Sequence, residues 1–351
     1  MYFNIRSRIS HATRSLQRAR AMSSLAAGSL LPGSRWDYRI VETLTVRDAT
    51  THASTIFKAS VIPRENTINA PQWAIIKTAS HGDATATENL NREAQSYLLP
   101  GVASATCFRQ LYDVVDKDTL ALEWLDTTLQ ENQYQPDTRS YVLIKAVLEA
   151  ALRSCVILGD QKYVNTDYKP ANILLSGIET GNITAKVGDL GLVFPAGHRV
   201  KAQPYAMRAP EVFLGQACAE PSQVWAVAAT VLCWVMPGVL GVHDCPHFLI
   251  NEAWCMAKIK RLFPDWNLPS PEEVDGLVLQ GAVQTARRIS EEEPEFQATP
   301  PFEEETQKVE MPQQLRELLR LMLVPDPSRR PSASSVLASS EFQALDKLVT
   351  V

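Results

Sequence analysis

The chain has 351 residues, 45% of them hydrophobic and 21% charged, which supplies enough apolar material for a sizeable core and excludes global disorder. A formal net charge of −5 gives no basic field for a nucleic-acid partner, so none is expected. The six cysteines (Cys107, Cys155, Cys218, Cys233, Cys245, Cys255) stand singly with no C-x-x-C pair, which argues against a zinc site or a dense disulfide framework and fits a reducing compartment.

Residues 1–36 form a distinct leader. Arg6, Arg8, Arg14, Arg18, Arg20 and Arg35 occur among serines with no acid before Asp37, and Phe3, Ile5, Ile9, Ala12 and Leu16 recur at near-helical spacing. This is the composition of a mitochondrial transit peptide, and a disordered basic leader is the equal alternative. The expected location is therefore intracellular: mitochondrial if the leader is read as a signal, otherwise cytoplasmic or nuclear.

From Asp37 to Trp124 the pattern predicts strands at Tyr38–Leu44, Thr55–Val61, Trp73–Thr78 and Thr119–Trp124, each rich in β-branched and aromatic residues. One helix, Thr87–Leu99, interrupts them and is expected to end at Pro100-Gly101. After Leu125 the character turns helical, beginning with Thr138–Leu158 and its stripe of Tyr141, Leu143, Ile144, Val147, Ala150, Ala151 and Cys155. Further helices are predicted near Gln223–Met236, His247–Leu262, Gln313–Leu323 and Ala333–Ala338. Val224 to Val242 carries no charge, but Pro237-Gly238 interrupts it, so a buried core helix is expected rather than a membrane span. Residues 270–309, with Glu291-Glu292-Glu293 and Glu303-Glu304-Glu305, read as a solvated, partly ordered surface insert. The fold class expected is α+β: a small strand-rich lobe over residues 37–124 and a larger helical lobe over 125–351.

Several polar residues stand out against this background. Trp73-Ala74-Ile75-Ile76-Lys77 ends a buried strand pattern on a lysine, and Glu93 follows sixteen residues later within a helix. Taken singly, an edge lysine and a solvated glutamate explain both. Asn165-Thr166-Asp167-Tyr168-Lys169-Pro170-Ala171-Asn172 is sharper, because it spaces Asp, Lys and Asn by two and three residues before an apolar strand. Lys186-Val187-Gly188-Asp189-Leu190-Gly191 then puts an acid on a glycine turn, and Ala209-Pro210-Glu211 follows.

The ordered set of Lys, Glu, D-x-K-P-x-N, D-x-G and A-P-E resembles the eukaryotic protein kinase superfamily over about residues 37–345. Arg208 before Ala209-Pro210-Glu211, Val212-Phe213-Leu214-Gly215 after it, and the late insert look like a divergent, fungal-type member of the group containing SR-protein and cyclin-dependent kinases. The resemblance implies a bilobal fold, ATP and Mg2+ as cofactors, and a protein substrate phosphorylated on Ser or Thr. It implies that Lys77 binds the α- and β-phosphates and pairs with Glu93. Asp167 would orient the substrate hydroxyl and accept its proton, and Lys169 would neutralise the γ-phosphate. Asn172 and Asp189 would hold magnesium. The adenine hinge would run through Glu123 and Leu125, and Glu211 would pair with Arg330 to fix the substrate-binding loop.

The sequence departs from that pattern in places. Ala49, Thr51 and Ser54 stand where the phosphate-binding loop expects glycines, and a Cβ obstructs close approach of backbone amides. Asn165-Thr166 replaces the His-Arg before the catalytic Asp, and Gln223 replaces an acid at the start of a buried helix. Asn165 and Gln223 are expected to form a neutral amide pair in place of an ionic anchor. Leu192 to Met207 contains no Ser or Thr, which points away from switching by their phosphorylation. Pro204 replaces a threonine that contacts the catalytic pair. An active kinase and a pseudokinase that binds nucleotide or serves as a scaffold are both carried forward. A small-molecule kinase of the same fold fits the A-P-E segment less well.

Overall fold

Alternation of apolar and polar residues builds the first of two units, which runs to Gln95 and takes in Gln110–Trp124. The computed structural model describes residues 25–44, 54–64, 69–79, 82–198 and 203–349. Within β2 (Trp36–Leu44), Trp36, Tyr38 and Ile40 put three large side chains on one buried face. Phe57 and Ala59 of β3 (Thr55–Pro63) and Ala74 and Ile76 of β4 (Trp73–Thr78) meet them there. With β1 (Leu30–Pro32), β5 (Leu111–Asp116) and β6 (Thr119–Glu123), these strands form a six-stranded antiparallel sheet ordered β1-β2-β3-β4-β6-β5. The register passes from Ile40 to Glu42 across a bulge, and Val41 is exposed beside it.

Two expectations change here. The sheet begins at Leu30, inside the segment read as leader, and Leu25 and Leu31 pack against the first core; residues 1–24 lie outside the described residues. β5 carries no signal in the sequence reading. Its Asp113 is nevertheless central, accepting hydrogen bonds from the Ser34 amide and hydroxyl (2.9 and 2.5 Å) and from the Tyr38 hydroxyl (3.0 Å).

The first helix, α1 (Ala84–Tyr97), starts earlier than predicted because the Asp83 carboxylate accepts the Ala86 amide at 2.9 Å. Pro100 does not merely stop a helix. It occupies the first turn of α2 (Pro100–Ser104), where its missing N–H is no loss.

The second unit comprises Ser96–Arg109 and the chain from Leu125 onward. Its first long helix, α3 (Thr138–Asp160), is capped by Asp137 and buries Leu143, Ile144, Val147, Leu148, Ala151, Leu152 and Cys155 along one face. After the short α4 (Pro210–Phe213), α5 (Glu220–Val235) is buried on nearly all sides, as its uncharged sequence predicts for a core helix. No helix among the described residues is long and apolar enough to cross a membrane. Short antiparallel pairings tie the intervening loops: β7 (Thr127–Thr128), β9 (Ile173–Ser176) and β10 (Thr184–Val187) form one small sheet, and β8 (Tyr163–Asn165) and β11 (Val193–Pro195) form another. The architecture is the α+β class expected.

The acidic insert is better ordered than its composition suggests. After α6 (Asn251–Leu262), α7 (Leu277–Glu292) buries Val283, Ala286 and Ile289 on one stripe and packs against α6. Two short helices follow, α8 (Pro294–Gln297) and α9 (Phe302–Glu305). Phe296 meets Trp254 edge-on at 4.7 Å, and Phe302 stacks on Phe263 at 5.5 Å. The glutamates lie mostly on the outside, so composition records their solvation while the apolar stripe does the folding. The next helix, α10 (Gln313–Met322), buries Leu315, Leu318, Leu319 and Met322 in the same periodic manner.

Candidate active site

In the first unit, Lys77 is the last residue but one of β4, paired in register with Ile56 of β3 and Leu120 of β6. Its ammonium lies 2.7 Å from Glu93 Oε2 of α1. Glu93 is only 1% exposed, so this is a desolvated pair, and a charge left alone there would be costly. Glu123 ends β6, its amide donating to the Gln110 carbonyl at 2.9 Å and its carboxylate accepting the Gln110 amide at 2.9 Å. Of the phosphate-loop positions, Ala49 and Thr51 lie outside the described residues, while Ser54 sits just before β3.

In the second unit, Leu125 is buried and the Asp167–Asn172 motif forms a tight polar cluster. The 3-10 turn Pro170–Asn172 brings Asn172 back onto Asp167. Its amide nitrogen donates to the Asp167 backbone oxygen at 2.9 Å and to Asp167 Oδ2 at 2.8 Å. The Lys169 ammonium reaches the same Oδ2 at 2.9 Å. Burial pushes the Asp167 carboxyl above the usual aspartate range; Lys169 and Asn172 oppose that shift, and the nearby Asp189 charge adds to it. Asp189 follows β10 in the left-handed region (φ 51°), uncommon for a non-glycine residue, and accepts the Gly191 amide at 3.4 Å. A Cβ at the adjoining Gly188 would lie 2.6 Å from Leu174 Cδ1, so the Leu174 side chain packs where any larger residue would have to displace it.

The supporting shell shows how the departures from the motif are accommodated. Gln223 Oε1 accepts the Asn165 backbone amide at 2.8 Å, and Asn165 Oδ1 accepts the Asp167 amide at 3.0 Å. The expected neutral anchor is therefore a relay through the backbone, not a side-chain pair. Asn165 Nδ2 and Gln223 Nε2 are buried without a hydrogen-bond partner, so the anchor is only half satisfied. Thr166 ties the loop forward, with both its amide (3.1 Å) and its hydroxyl (2.8 Å) on the Leu192 carbonyl. Behind it, the Tyr168 hydroxyl lies 2.7 Å from Ser154 Oγ on α3.

Glu211 and Arg330 form a bidentate pair at 2.7 and 3.0 Å. The remaining guanidinium donors reach the carbonyls of Pro221, Val324 and Pro325, so every N–H of Arg330 has an acceptor. One residue that motif reading passed over belongs to this region. Gln203 is buried with φ 76°, and its side chain bridges the Ser222 carbonyl and the Ala209 amide. A glutamine outside any motif gives no signal in sequence.

The structure thus brings together Lys77 with Glu93, Asp167 with Lys169 and Asn172 near Asp189, and Glu211 with Arg330. Asp167 and Asp189 supply carboxylate oxygens. Both amide hydrogens of Asn172 are engaged by Asp167, which leaves Asn172 Oδ1 to act as a ligand; these are the hard oxygen donors that magnesium takes. In comparison with models of known families, residues 71–342 match the protein kinase domain, a span that takes in every one of these polar residues. The chain belongs to the protein kinase family.

Proposed function

We propose that this protein transfers the γ-phosphate of ATP to Ser or Thr hydroxyls of protein substrates, with Mg2+ as the metal. The observation that carries the reading is the buried Asp167 carboxylate, held by both Lys169 and Asn172. A carboxylate so fixed can orient a hydroxyl and receive its proton, and its raised pKa makes it a better acceptor than an ordinary aspartate. Lys77, kept in place by Glu93, would bind the α- and β-phosphates, and Lys169 would face the γ-phosphate. Asn172 and Asp189 would hold the magnesium, which when bound neutralises charge on the phosphates. Glu123 and Leu125 would offer backbone groups to the adenine. Glu211 and Arg330 would brace the substrate-binding loop, and Arg208 before the A-P-E segment supports the SR-protein and cyclin-dependent kinase group.

A pseudokinase reading draws on the glycine-free positions Ala49, Thr51 and Ser54 and on the half-satisfied anchor at Asn165 and Gln223. Thermal unfolding in millimolar Mg-ATP, paired with phosphate transfer by wild type and Asp167→Asn, separates the two. A raised melting temperature with Asp167-dependent transfer is the expected result. A raised melting temperature with no transfer to any protein tested would establish the pseudokinase. No shift at all would overturn both.

A further inference from the structure

We propose that Tyr168 is a positioning residue for phosphate transfer: its buried hydroxyl, bonded to Ser154 of α3, fixes the loop that carries Asp167 and Lys169. The inference rests on the phosphotransfer reading above. Tyr168 is 1% exposed and stands at the open position of the D-x-K-P-x-N motif, between the two charged residues. An apolar side chain would fill that place with no polar group to satisfy, so the hydroxyl has to be accounted for.

Backbone geometry divides the roles. Lys169 is extended (φ −163°, ψ 159°), and successive side chains of extended backbone point to opposite sides. Asp167 and Lys169 accordingly share one side, where their charged ends lie 2.9 Å apart, and Tyr168 takes the other, toward α3. There the direction of each hydrogen bond follows from the protons available. The Ser154 hydroxyl donates to the Ala151 carbonyl at 2.7 Å, which uses its one proton. The Tyr168 hydroxyl therefore donates to Ser154 Oγ across 2.7 Å, and it accepts the Cys155 thiol at 3.3 Å. Cys155, Tyr168, Ser154 and the Ala151 carbonyl form a chain of bonds running in one direction, in which each bond polarises the next. Burial raises the Tyr168 hydroxyl well above the ordinary tyrosine range, so it keeps the proton that this chain requires.

The bonds from Lys169 and Asn172 to Asp167 stay inside the loop and would travel with it. Position relative to the helices has to come from bonds that leave the loop. The relay from Gln223 through Asn165 is one of these, and it leaves two buried amide nitrogens unpartnered. Thr166 reaches only to the Leu192 carbonyl nearby in the fold. Tyr168 reaches the 23-residue α3 with its hydroxyl both donating and accepting. A loop that drifted from α3 would break this bond first and carry Asp167 and Lys169 away together.

The test uses the full chain with Tyr168→Phe, Ser154→Ala and the two combined. Ser154→Ala strands the buried Tyr168 hydroxyl and is expected to lower the melting temperature most. The double variant buries no stranded hydroxyl, and its melting temperature is expected to return near that of wild type. Its kcat is expected to stay down by about tenfold or more, with KM for Mg-ATP and for a protein substrate within about twofold. A purely structural role would instead follow the melting temperature, so wild-type kcat in the double variant would overturn the proposal. Amide hydrogen exchange at Asp167, whose N–H is held by Asn165 Oδ1, is read against the core amide of Leu148 in α3, which corrects for global unfolding. Exchange at Asp167 is expected to rise more than at Leu148 in Tyr168→Phe and in the double variant; an equal rise, or none, would also overturn the proposal. If the wild type transfers no phosphate, the proposed function fails, and the exchange measurement by itself still decides whether Tyr168 holds the loop.

Discussion

Asp167 combines two opposing influences. Burial penalises its charge, and Lys169 and Asn172 recover part of the penalty, leaving its pKa raised. A carboxyl with a higher pKa in the folded than in the unfolded state binds its proton more tightly when folded. The folded form is therefore favoured below the unfolded value, and that advantage is lost as pH rises through the folded value. At pH 7 the ionised group is a net cost. Asp167→Asn should then unfold at a higher temperature than wild type at pH 7, with the gap closing as pH falls through the carboxylate range. The same substitution should lower phosphate transfer by roughly 10²-fold or more. The acid limb of the wild-type rate profile should lie above that of an ordinary aspartate. Melting temperature and rate measured against pH check both signs. Arg330 poses the converse case, because its pair with Glu211 is fully desolvated and every donor is occupied. Arg330→Met leaves the buried Glu211 without its partner, and should cost about 3–5 kcal/mol in denaturant unfolding. A loss below 1 kcal/mol would mean that water reaches the carboxylate.

At the level of elements, α7 shows why local composition and local structure can part. Leu277 at its start is 87% exposed, whereas Ile289 near its end is 4% exposed. Ile289→Ala should cost about 2–5 kcal/mol through the cavity it leaves, and Leu277→Ala under about 0.5 kcal/mol. Equal effects in urea unfolding would show that the stripe facing α6 is not the anchoring face. Where periodicity is clean, as along α3 and α10, or the run is uncharged throughout, as along α5, the sequence is enough to place the helix within a few residues. Around residues 270–309, runs of glutamate and proline hide a three-residue stripe, and the order of the insert is legible only once α6 is there to pack against. The site divides in the same way. Lys77, Glu93, Asp167, Asn172 and Asp189 are legible because they fall, in order and at the right spacing, on the motifs of the protein kinase family. The Asn165–Gln223 relay is half legible: the residue types suggest an amide anchor, but its path through the Asn165 backbone does not show in side chains. Gln203 is not legible at all, since neither a positive φ nor a bridge to Ser222 leaves a pattern in the chain.

Across the whole molecule, the two units have separate hydrophobic cores. Trp36, Tyr38, Ile40 and Ile76 belong to the first, while α3, α5 and α10 supply much of the second. The first unit is much the smaller, and the fraction of surface buried on folding rises with size, so its stability margin is expected to be the thinner. The seven tryptophans report on both: Trp36, Trp73 and Trp124 lie in the first unit, and Trp225, Trp234, Trp254 and Trp266 in the second. Guanidinium unfolding followed by tryptophan fluorescence should therefore proceed in two steps, a departure from two-state behaviour that larger chains commonly show. Core substitutions assign the steps. Ile40→Ala should lower the first midpoint by the equivalent of about 2–5 kcal/mol and leave the second in place, and Leu319→Ala should do the reverse. A single transition displaced equally by both substitutions would show instead that the two cores fold as one cooperative body, and the stability of the Lys77–Glu93 pair would then be inseparable from that of the Asp167 cluster.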